Sequence, residues 1–486
     1  MTRTDAASFD EFLAGGIFSS PETRINLEIL CDDFGSCFAG TPGEEEAARF
    51  LEGKLREYGL ENVRTEPFEY NGWTRGAARL SMTSPRQRDL ESLSMPMAAP
   101  GLVRGRVVDL GYGAPEDFEA RRGELAGNIA LVAGTNPPGA GRWIHRIEKY
   151  NRSVLAGAAG FIWTGHSEGV GPFTGAVGFN CWGLIPAVMV SLETGLLLRR
   201  LIGRHGAAEA EIESADVQER KTSWNIIGDT GGGGARDDGE MVVIGNHYDG
   251  HDISQGAEDP KSGLVAALDI ARALPQCAGR LDRRVRFVLF GVEELGLIGA
   301  HAYVDTHAAD IAATRFMFNL DSAGGRGAKG LTVYGPDTLP FFRPLAAALG
   351  EGLHVQRETS PLAEPPHLSA DHYPFVAQGI PCGFIRDPDQ GVIITRYYHT
   401  PHDTVDKLRI ADIRQAAFLC ARLAWRVANA GDWPQVRPDA AGVARARVEY
   451  DASQVSSQVE AEIEELRKRR QAGPAGTEPP GQGRLR

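Results

Sequence analysis

The sequence lacks the patterns that mark several large classes of protein. No run approaches the ~20 apolar residues of a membrane-spanning helix, and no two of the six cysteines show CxxC spacing. There is no GxxxxGK[ST] phosphate loop. Positive charge is in deficit, with 51 Lys and Arg against 64 Asp and Glu and a net charge of -13. A surface of this sign repels phosphate backbones, so nucleic acid is not an expected partner. The lack of an apolar run of spanning length predicts no membrane partner.

The six cysteines are scattered, and most stand in apolar surroundings. This pattern predicts buried free thiols in a reducing compartment, although Cys31 and Cys37 could close a small loop in an exported protein. The start, MTRTDAASFDEF, has no basic segment followed by an apolar core, so no signal peptide is predicted. A cytoplasmic location is therefore expected, with secretion as the alternative.

The fold class follows from the pattern of apolar runs. Between about 216 and 432, runs such as 241–244 and 285–290 alternate with helical segments, which predicts an α/β fold with a mixed, mostly parallel sheet flanked by helices. Around 92–205, Gly, Pro and short β-branched runs predict a small β-rich insert. The predicted divisions are a catalytic domain in two parts (1–91 and 206–435), the insert (92–205) and a charged helical and disordered tail (436–486).

Two helices outside the sheet region are also predicted. Thr41, Pro42 and Glu44 form a helix start of the capping-box type, and Gly59 ends that helix. The charged run 440–470 predicts a solvated helix, with an oligomer contact as the alternative.

Histidines and carboxylates follow the ends of predicted strands in five short segments. In open α/β sheets, ligands bind beyond the carboxyl ends of the strands, so these segments define one candidate site. The segments are Asn246–Asp249, Gln255–Asp259, Glu293–Glu294, Asp321 and Tyr398–Thr404.

These side chains favour a metal centre. Adjacent carboxylates such as Glu293 and Glu294 repel each other unless a positive charge lies between or near them, and a buried Asp321 needs a partner or a ligated ion. Asp259 could bridge two cations or cap the following helix. Both His399 and His402 are candidate ligands, and Asp403 or Thr404 could orient one of them.

Nitrogen and oxygen ligands without cysteine fit a catalytic zinc site better than a structural zinc finger. Two metals roughly 3.5–4 Å apart can activate water and hold a developing oxyanion. Water is therefore the expected nucleophile.

The same segments resemble a known family. HYD at 247–249, GAED at 256–259, EE at 293–294, NLD at 319–321 and HTPHDT at 399–404 are similar to the zinc aminopeptidase Y and plasma glutamate carboxypeptidase family of two-zinc exopeptidases. The segment Ser369–His372 also resembles that family. The insert resembles a protease-associated domain through residues 125–132 and 157–162.

The resemblance implies a role for each site residue. One zinc ion would be held by His247, Asp321 and Asp259, and the second by Glu294, His399 and Asp259. Glu293 would be the general base and then the acid, and Asp249 would orient His247.

Two positions depart from the family pattern. Pro260 and Lys261 follow Asp259 where the family has Asp or Asn and a small residue, so Lys261 brings a positive charge near the metals. A tyrosine that supports the oxyanion in some relatives is missing, and His367 is the candidate in its place.

The implied activity is hydrolysis of a terminal peptide bond, by an aminopeptidase or dipeptidase acting on peptides or dipeptides. The alternatives are a glutamate-type carboxypeptidase, a glutaminyl cyclase with one catalytic zinc, and a non-catalytic binding protein on a peptidase scaffold. Arg142 and Arg146 in the insert are candidate anchors for a substrate carboxylate, or else part of an exposed basic face. An oligomer is compatible with the sequence.

Overall fold

The structure is a computed structural model. It describes residues 3–231, 238–276, 281–326, 329–334, 338–349, 370–386, 396–434 and 456–472, together with positions 441, 444 and 448.

Fifteen strands are found in the described ranges, and they form two sheets. In chain order they are β1 (Glu61–Thr74), β2 (Ala78–Ser84), β3 (Arg88–Leu90), β4 (Leu93–Ser94), β5 (Gly101–Asp109), β6 (Ile129–Ala133), β7 (Gly160–Thr164), β8 (Ala187–Val190), β9 (Glu209–Ser214), β10 (Val217–Asp229), β11 (Met241–His247), β12 (Arg284–Phe290), β13 (Thr314–Asn319), β14 (Gly330–Tyr334) and β15 (Cys382–Arg386).

Helices cover both sheets. In the described residues they are α1 (Arg3–Phe18), α2 (Glu22–Glu28), α3 (Pro42–Glu57), α4 (Pro115–Leu125), α5 (Arg146–Leu155), α6 (Leu192–His205), α7 (Gly263–Ala273), α8 (Ile298–Thr306), α9 (Ala308–Ala313), α10 (Leu339–Leu349), α11 (Tyr373–Val376), α12 (Ile410–Asn429) and α13 (Ser457–Ala472). None of the helices in these ranges is long and apolar enough to cross a membrane.

The first sheet has the order β1-β10-β12-β11-β13-β15-β14. Its four central strands, β12, β11, β13 and β15, are parallel, and the outer strands pair antiparallel. Every residue of β11 is buried, because Val242 and Ile244 face a core formed with α7 and α12 while Met241 and Val243 face a core formed with α8 and α11. The prediction of a mixed α/β sheet flanked by helices is confirmed.

The register of the parallel strands determines where the site lies. His247 at the end of β11 pairs with Phe290 at the end of β12, and Gly245 pairs with Asn319 at the end of β13. The segments that follow these three strands therefore emerge side by side at one edge of the sheet.

The second sheet is built from residues 78–214 in the order β3-β2-β9-β5-β6-β7-β8-β4. Its strands β5 to β8 are parallel and cover a core that includes Leu131, Ile162 and Val188. Strands β2, β3 and β9 lie outside the predicted limits of 92 and 205. The domain division and the likeness to a protease-associated domain stay predictions.

Helix α3 begins where the sequence predicts, with the Thr41 side chain accepting from Glu44 N. Helix α13 is exposed at most of its residues, as predicted for a solvated helix, but one side of it is buried. Val459 and Ile463 are buried, and Ser456 N donates to Glu148 Oε2 at 3.0 Å, so the apolar side of α13 docks on α5.

The cysteines in the described ranges are free thiols, as predicted: Cys31, Cys37, Cys181, Cys382 and Cys420. Cys277 lies outside those ranges.

A buried ion pair joins β10 to β12, and its contribution to stability can be tested. Arg286 donates to both oxygens of Asp229, at 2.7 and 3.0 Å, and both side chains are almost fully buried. Arg286→Met leaves a buried carboxylate without its main partner, so we expect the free energy of unfolding to fall by about 3–5 kcal/mol. Urea unfolding measures the loss.

The matched control is Arg49→Met, which removes an exposed pair with Glu45. We expect little change there, because solvent screens exposed pairs. An equal, small effect of both substitutions would show that the Arg286–Asp229 pair does not stabilise the sheet.

Candidate active site

Two groups of metal-binding side chains lie at the carboxyl edge of the first sheet. His247, Asp259 and Asp321 form one group, and His251, Glu294 and His399 form the other. Within each group the donor atoms all lie within 4.8 Å of one another. The structure thus brings together all five ligands expected from the resemblance and adds His251.

Asp259 stands between the two groups. Its Oδ1 is 3.3 Å from His247 Nε2, and its Oδ2 is 3.2 Å from His399 Nε2. His247 Nε2 is also 3.4 Å from Asp321 Oδ1, and His399 Nε2 is 3.4 Å from Glu294 Oε2. The alternative role of Asp259 as a helix cap is not observed, because α7 is preceded by Ser262.

Both histidines next to Asp259 are held in the tautomer that a metal ligand needs. His247 Nδ1 lies 2.9 Å from the backbone oxygen of Asp249, and His399 Nδ1 lies 3.2 Å from the backbone oxygen of Thr174. A carbonyl oxygen only accepts, so each Nδ1 must carry the proton and each Nε2 presents a lone pair. Among the residues that the structure describes, His247 Nε2 has no hydrogen-bond partner although it is buried, which fits a position reserved for a cation.

The Asp249 carboxylate does more than the resemblance implies. It lies 3.8 Å from His247 Nδ1, while its two oxygens accept from Glu293 N at 3.0 Å and Glu294 N at 3.3 Å. Its backbone oxygen, rather than its carboxylate, makes the close contact with His247. Asp249 therefore positions the segment that carries both glutamates.

Asp403 supports Asp259 in the same way that Asp249 supports the two glutamates. Its carboxylate accepts from Glu258 N at 2.8 Å and from Asp259 N at 3.2 Å, so it fixes the turn that presents Asp259. The sequence suggested instead that Asp403 orients a histidine. His402 is exposed and is not part of either metal-binding group, which leaves His399 as the ligand from that segment.

The Lys261 side chain is bound to backbone oxygens. It is fully buried, and its Nζ donates to the backbone oxygens of Gly35 and Gln255. The sequence predicted that this positive charge lies near the metals. In the structure it is bound by the two backbone oxygens instead. Position 367 lies outside the described residues, so the candidate role of His367 stays a prediction.

Burial of so many acids shifts their pKa values. Burial raises the pKa of Glu294 to about 8 and raises those of Glu293 and Asp371 well above the usual range, and neighbouring carboxylates add to the effect. Burial opposes ionisation of Asp259 as well, but the neighbouring His247 and His399 lower its pKa. Cations at this edge would return the raised carboxyls to their charged forms.

Unusual backbone conformations also occur in the segments of the site. Val292, Ser322 and His399 have φ values of 59°, 57° and 56°. Non-glycine residues rarely adopt such values, and a β-branched residue such as Val292 does so least readily. Surrounding hydrogen bonds hold these conformations, which aim the side chains of the site.

A serine motif elsewhere in the chain does not form a second catalytic centre. Residues 165–169, GHSEG, have GxSxG spacing and follow β7. A nucleophile elbow requires a helix directly after the serine, whereas turns follow here and the next helix begins at Leu192.

Comparison with known proteins agrees with this geometry. Residues 225–424 match the profile of peptidase family M28. The chain is 27% identical to aminopeptidase YwaD of Bacillus subtilis (strain 168) over 416 residues, which are 83% of each chain. It is 25% identical to carboxypeptidase Q of Mus musculus over 417 residues, 83% of this chain and 85% of that one.

Solved structures share the fold. A peptidase M28 precursor from Shewanella amazonensis SB2B superposes with a TM-score of 0.74 at 23% identity, over 90% of this chain and 99% of that one. The zinc aminopeptidase BSAP of Bacillus subtilis superposes with a TM-score of 0.66 at 24% identity, over 85% and 97%.

The paired metal-binding groups and these likenesses define the class: the chain is a zinc metallopeptidase that removes terminal residues from peptides. Residues 225–424, which match the peptidase family M28 profile, contain both metal-binding groups.

The role of Asp249 gives a test of how the site is assembled. Asp249→Ala leaves the amides of Glu293 and Glu294 without their acceptor, so we expect metal affinity to fall about 10–100-fold, the size typical of losing such a supporting contact. Competition with a chromophoric chelator measures the affinity. Asp406→Ala, at an exposed carboxylate nearby, is the control. Equal metal affinity in the Asp249 variant and the control would contradict the role.

Proposed function

We propose that this protein is an aminopeptidase with two zinc ions bridged by Asp259. The observation that carries the proposal is the position of the Asp259 carboxylate, which turns one oxygen toward His247 and the other toward His399. The nitrogen and carboxylate donors fit zinc. His247 and Asp321 would complete one site, and Glu294 and His399 the other.

Bound zinc ions would lower the pKa of a water molecule to near ~7 and polarise the scissile carbonyl. Glu293 is suited to move the proton. Its side chain is half-buried, its backbone is fixed by Asp249, and the burial that raises its pKa makes it a stronger base than an exposed glutamate. Glu293 would take the proton of the water and then deliver it to the leaving amine.

The test combines a metal count with a single substitution. We expect two zinc ions per chain and chelator-sensitive release of an amino acid from aminoacyl substrates. Glu293→Ala should keep both metals and lower kcat by about 10²–10⁴-fold, the usual contribution of a general base. Substantial remaining activity would remove Glu293 from this role, and one metal with cyclisation of an N-terminal Gln peptide would favour a glutaminyl cyclase. Two metals with no release of any terminal residue would favour a binding protein.

A second candidate, a dipeptidase, is favoured by Arg146. This half-buried arginine at the start of α5 donates from Nε to the backbone oxygen of Ala176 at 2.9 Å. Its guanidinium is near enough to Tyr398, Glu294 and Glu293 to interact with them electrostatically. Arg142 differs, because it forms an ion pair with the buried Glu148.

An arginine in this position would attract a substrate carboxylate close to the scissile bond, as in a dipeptide. The loop that holds it also binds a metal ligand, since Thr174 N donates to the backbone oxygen of His399 at 2.8 Å. The second sheet would thus set the length of the substrate.

We therefore expect Arg146→Gln to raise KM for a dipeptide with a free carboxyl end about 10–100-fold, the loss of one charge-assisted hydrogen bond. KM for the matching dipeptide amide should change little. Arg122→Gln, at an exposed arginine of α4, is the control. Equal rises in KM for the free acid and the amide would contradict binding of the substrate carboxylate by Arg146. The protein would then be an aminopeptidase whose substrate length this arginine does not limit.

A further inference from the structure

The loop after β11 carries a second histidine that the family resemblance does not use. His251 is four residues beyond His247 and is 2% exposed. Its Nε2 lies 2.8 Å from Glu294 Oε2, and its ring centroid lies 4.3 Å from that of His399. The imidazole is therefore within the group that contains two of the expected ligands of the second metal.

The contact between His251 and Glu294 is close, yet it lacks the geometry of a hydrogen bond. Both ring nitrogens of His251 and the Oε1 atom of Glu294 are buried without hydrogen-bond partners in the described part of the chain. Leaving three such atoms unpaired in a buried site is costly. A short distance without hydrogen-bond alignment is the arrangement expected when a nitrogen and an oxygen point at a shared cation.

The surrounding chain holds the imidazole in this place. The Phe38 ring stacks on it with centroids 6.4 Å apart. Gly250 N donates to the backbone oxygen of Ser36 at 2.9 Å, and Ser254 N donates to the backbone oxygen of His251 at 3.3 Å. These contacts fix the loop on both sides of the histidine.

We propose that His251 is an additional ligand of the second metal, alongside Glu294, His399 and Asp259. The proposal rests on the proposed two-metal site. The second metal then has two nitrogen and two carboxylate ligands from the protein, whereas the first has His247, Asp259 and Asp321. Imidazole nitrogen binds first-row metals such as zinc and cobalt well, so the second site becomes the tighter of the two.

The test measures stepwise metal binding rather than activity. Purified protein is stripped of metal and titrated with Zn²⁺ against a chromophoric chelator, and separately with Co²⁺ while the visible absorption is recorded. We expect His251→Phe, which keeps the packing on Phe38, to weaken one of the two sites by at least about 10-fold. The cobalt spectrum of that site should change because one nitrogen ligand is lost.

Two further variants separate ligation from packing and from hydrogen bonding. Phe38→Leu alters the same packing but removes no donor, so we expect both affinities and the cobalt spectrum to be retained. His251→Gln keeps a group that can donate to Glu294, and we expect it to behave like His251→Phe. Thermal unfolding of the metal-free proteins checks that all variants are folded.

The outcomes are distinct. Two metals in every variant, with unchanged affinities and cobalt spectra, would overturn the role of His251 and leave the two-metal site intact. Normal binding by His251→Gln alone would assign His251 a hydrogen bond to Glu294 in place of ligation, which also overturns the proposal. A single metal in the unmodified protein would overturn the two-metal site itself, and the inference on His251 with it.

Discussion

Electrostatic repulsion among buried acids is the constraint on which the rest of this site depends. Glu293, Glu294, Asp259 and Asp321 meet at one edge of the sheet, where water cannot screen them well. Two cations would offset the repulsion between these carboxylates. Hydrogen bonds from backbone amides hold the segments in place. Asp249 and Asp403, each bound to two backbone N–H groups, anchor the segments that carry the ligands.

The two sheets contribute differently to the centre. The parallel strands of the first sheet bring most of the ligands together, because their carboxyl ends lie at one edge. The second sheet supplies the backbone oxygen of Thr174, which fixes the tautomer of His399, and the guanidinium of Arg146. The part of the chain that carries the second sheet thus supports one metal-binding histidine and brings a positive charge near the two glutamates.

Helix α13 connects the end of the described chain to the part that carries the second sheet. Ser456 donates to Glu148, and Glu148 also holds Arg142 and Arg152. The helix docks on α5, whose first residue is Arg146. The helix that begins with Arg146 is therefore packed against a segment about 300 residues further along the chain.

The sequence alone predicted the α/β fold, because strand periodicity depends on local residues. Through the family resemblance it also predicted the five metal-binding residues that the structure brings together at one edge of the sheet. It did not determine which atoms meet. Contacts between distant segments decide whether Asp249 meets His247 through its carboxylate or its backbone. They also decide which atoms bind Lys261 and which side of α13 is buried. The place of His251 was missed for the same reason. Its spacing from His247 is visible, but only the tertiary structure brings Glu294, 43 residues further on, to within 2.8 Å of its ring.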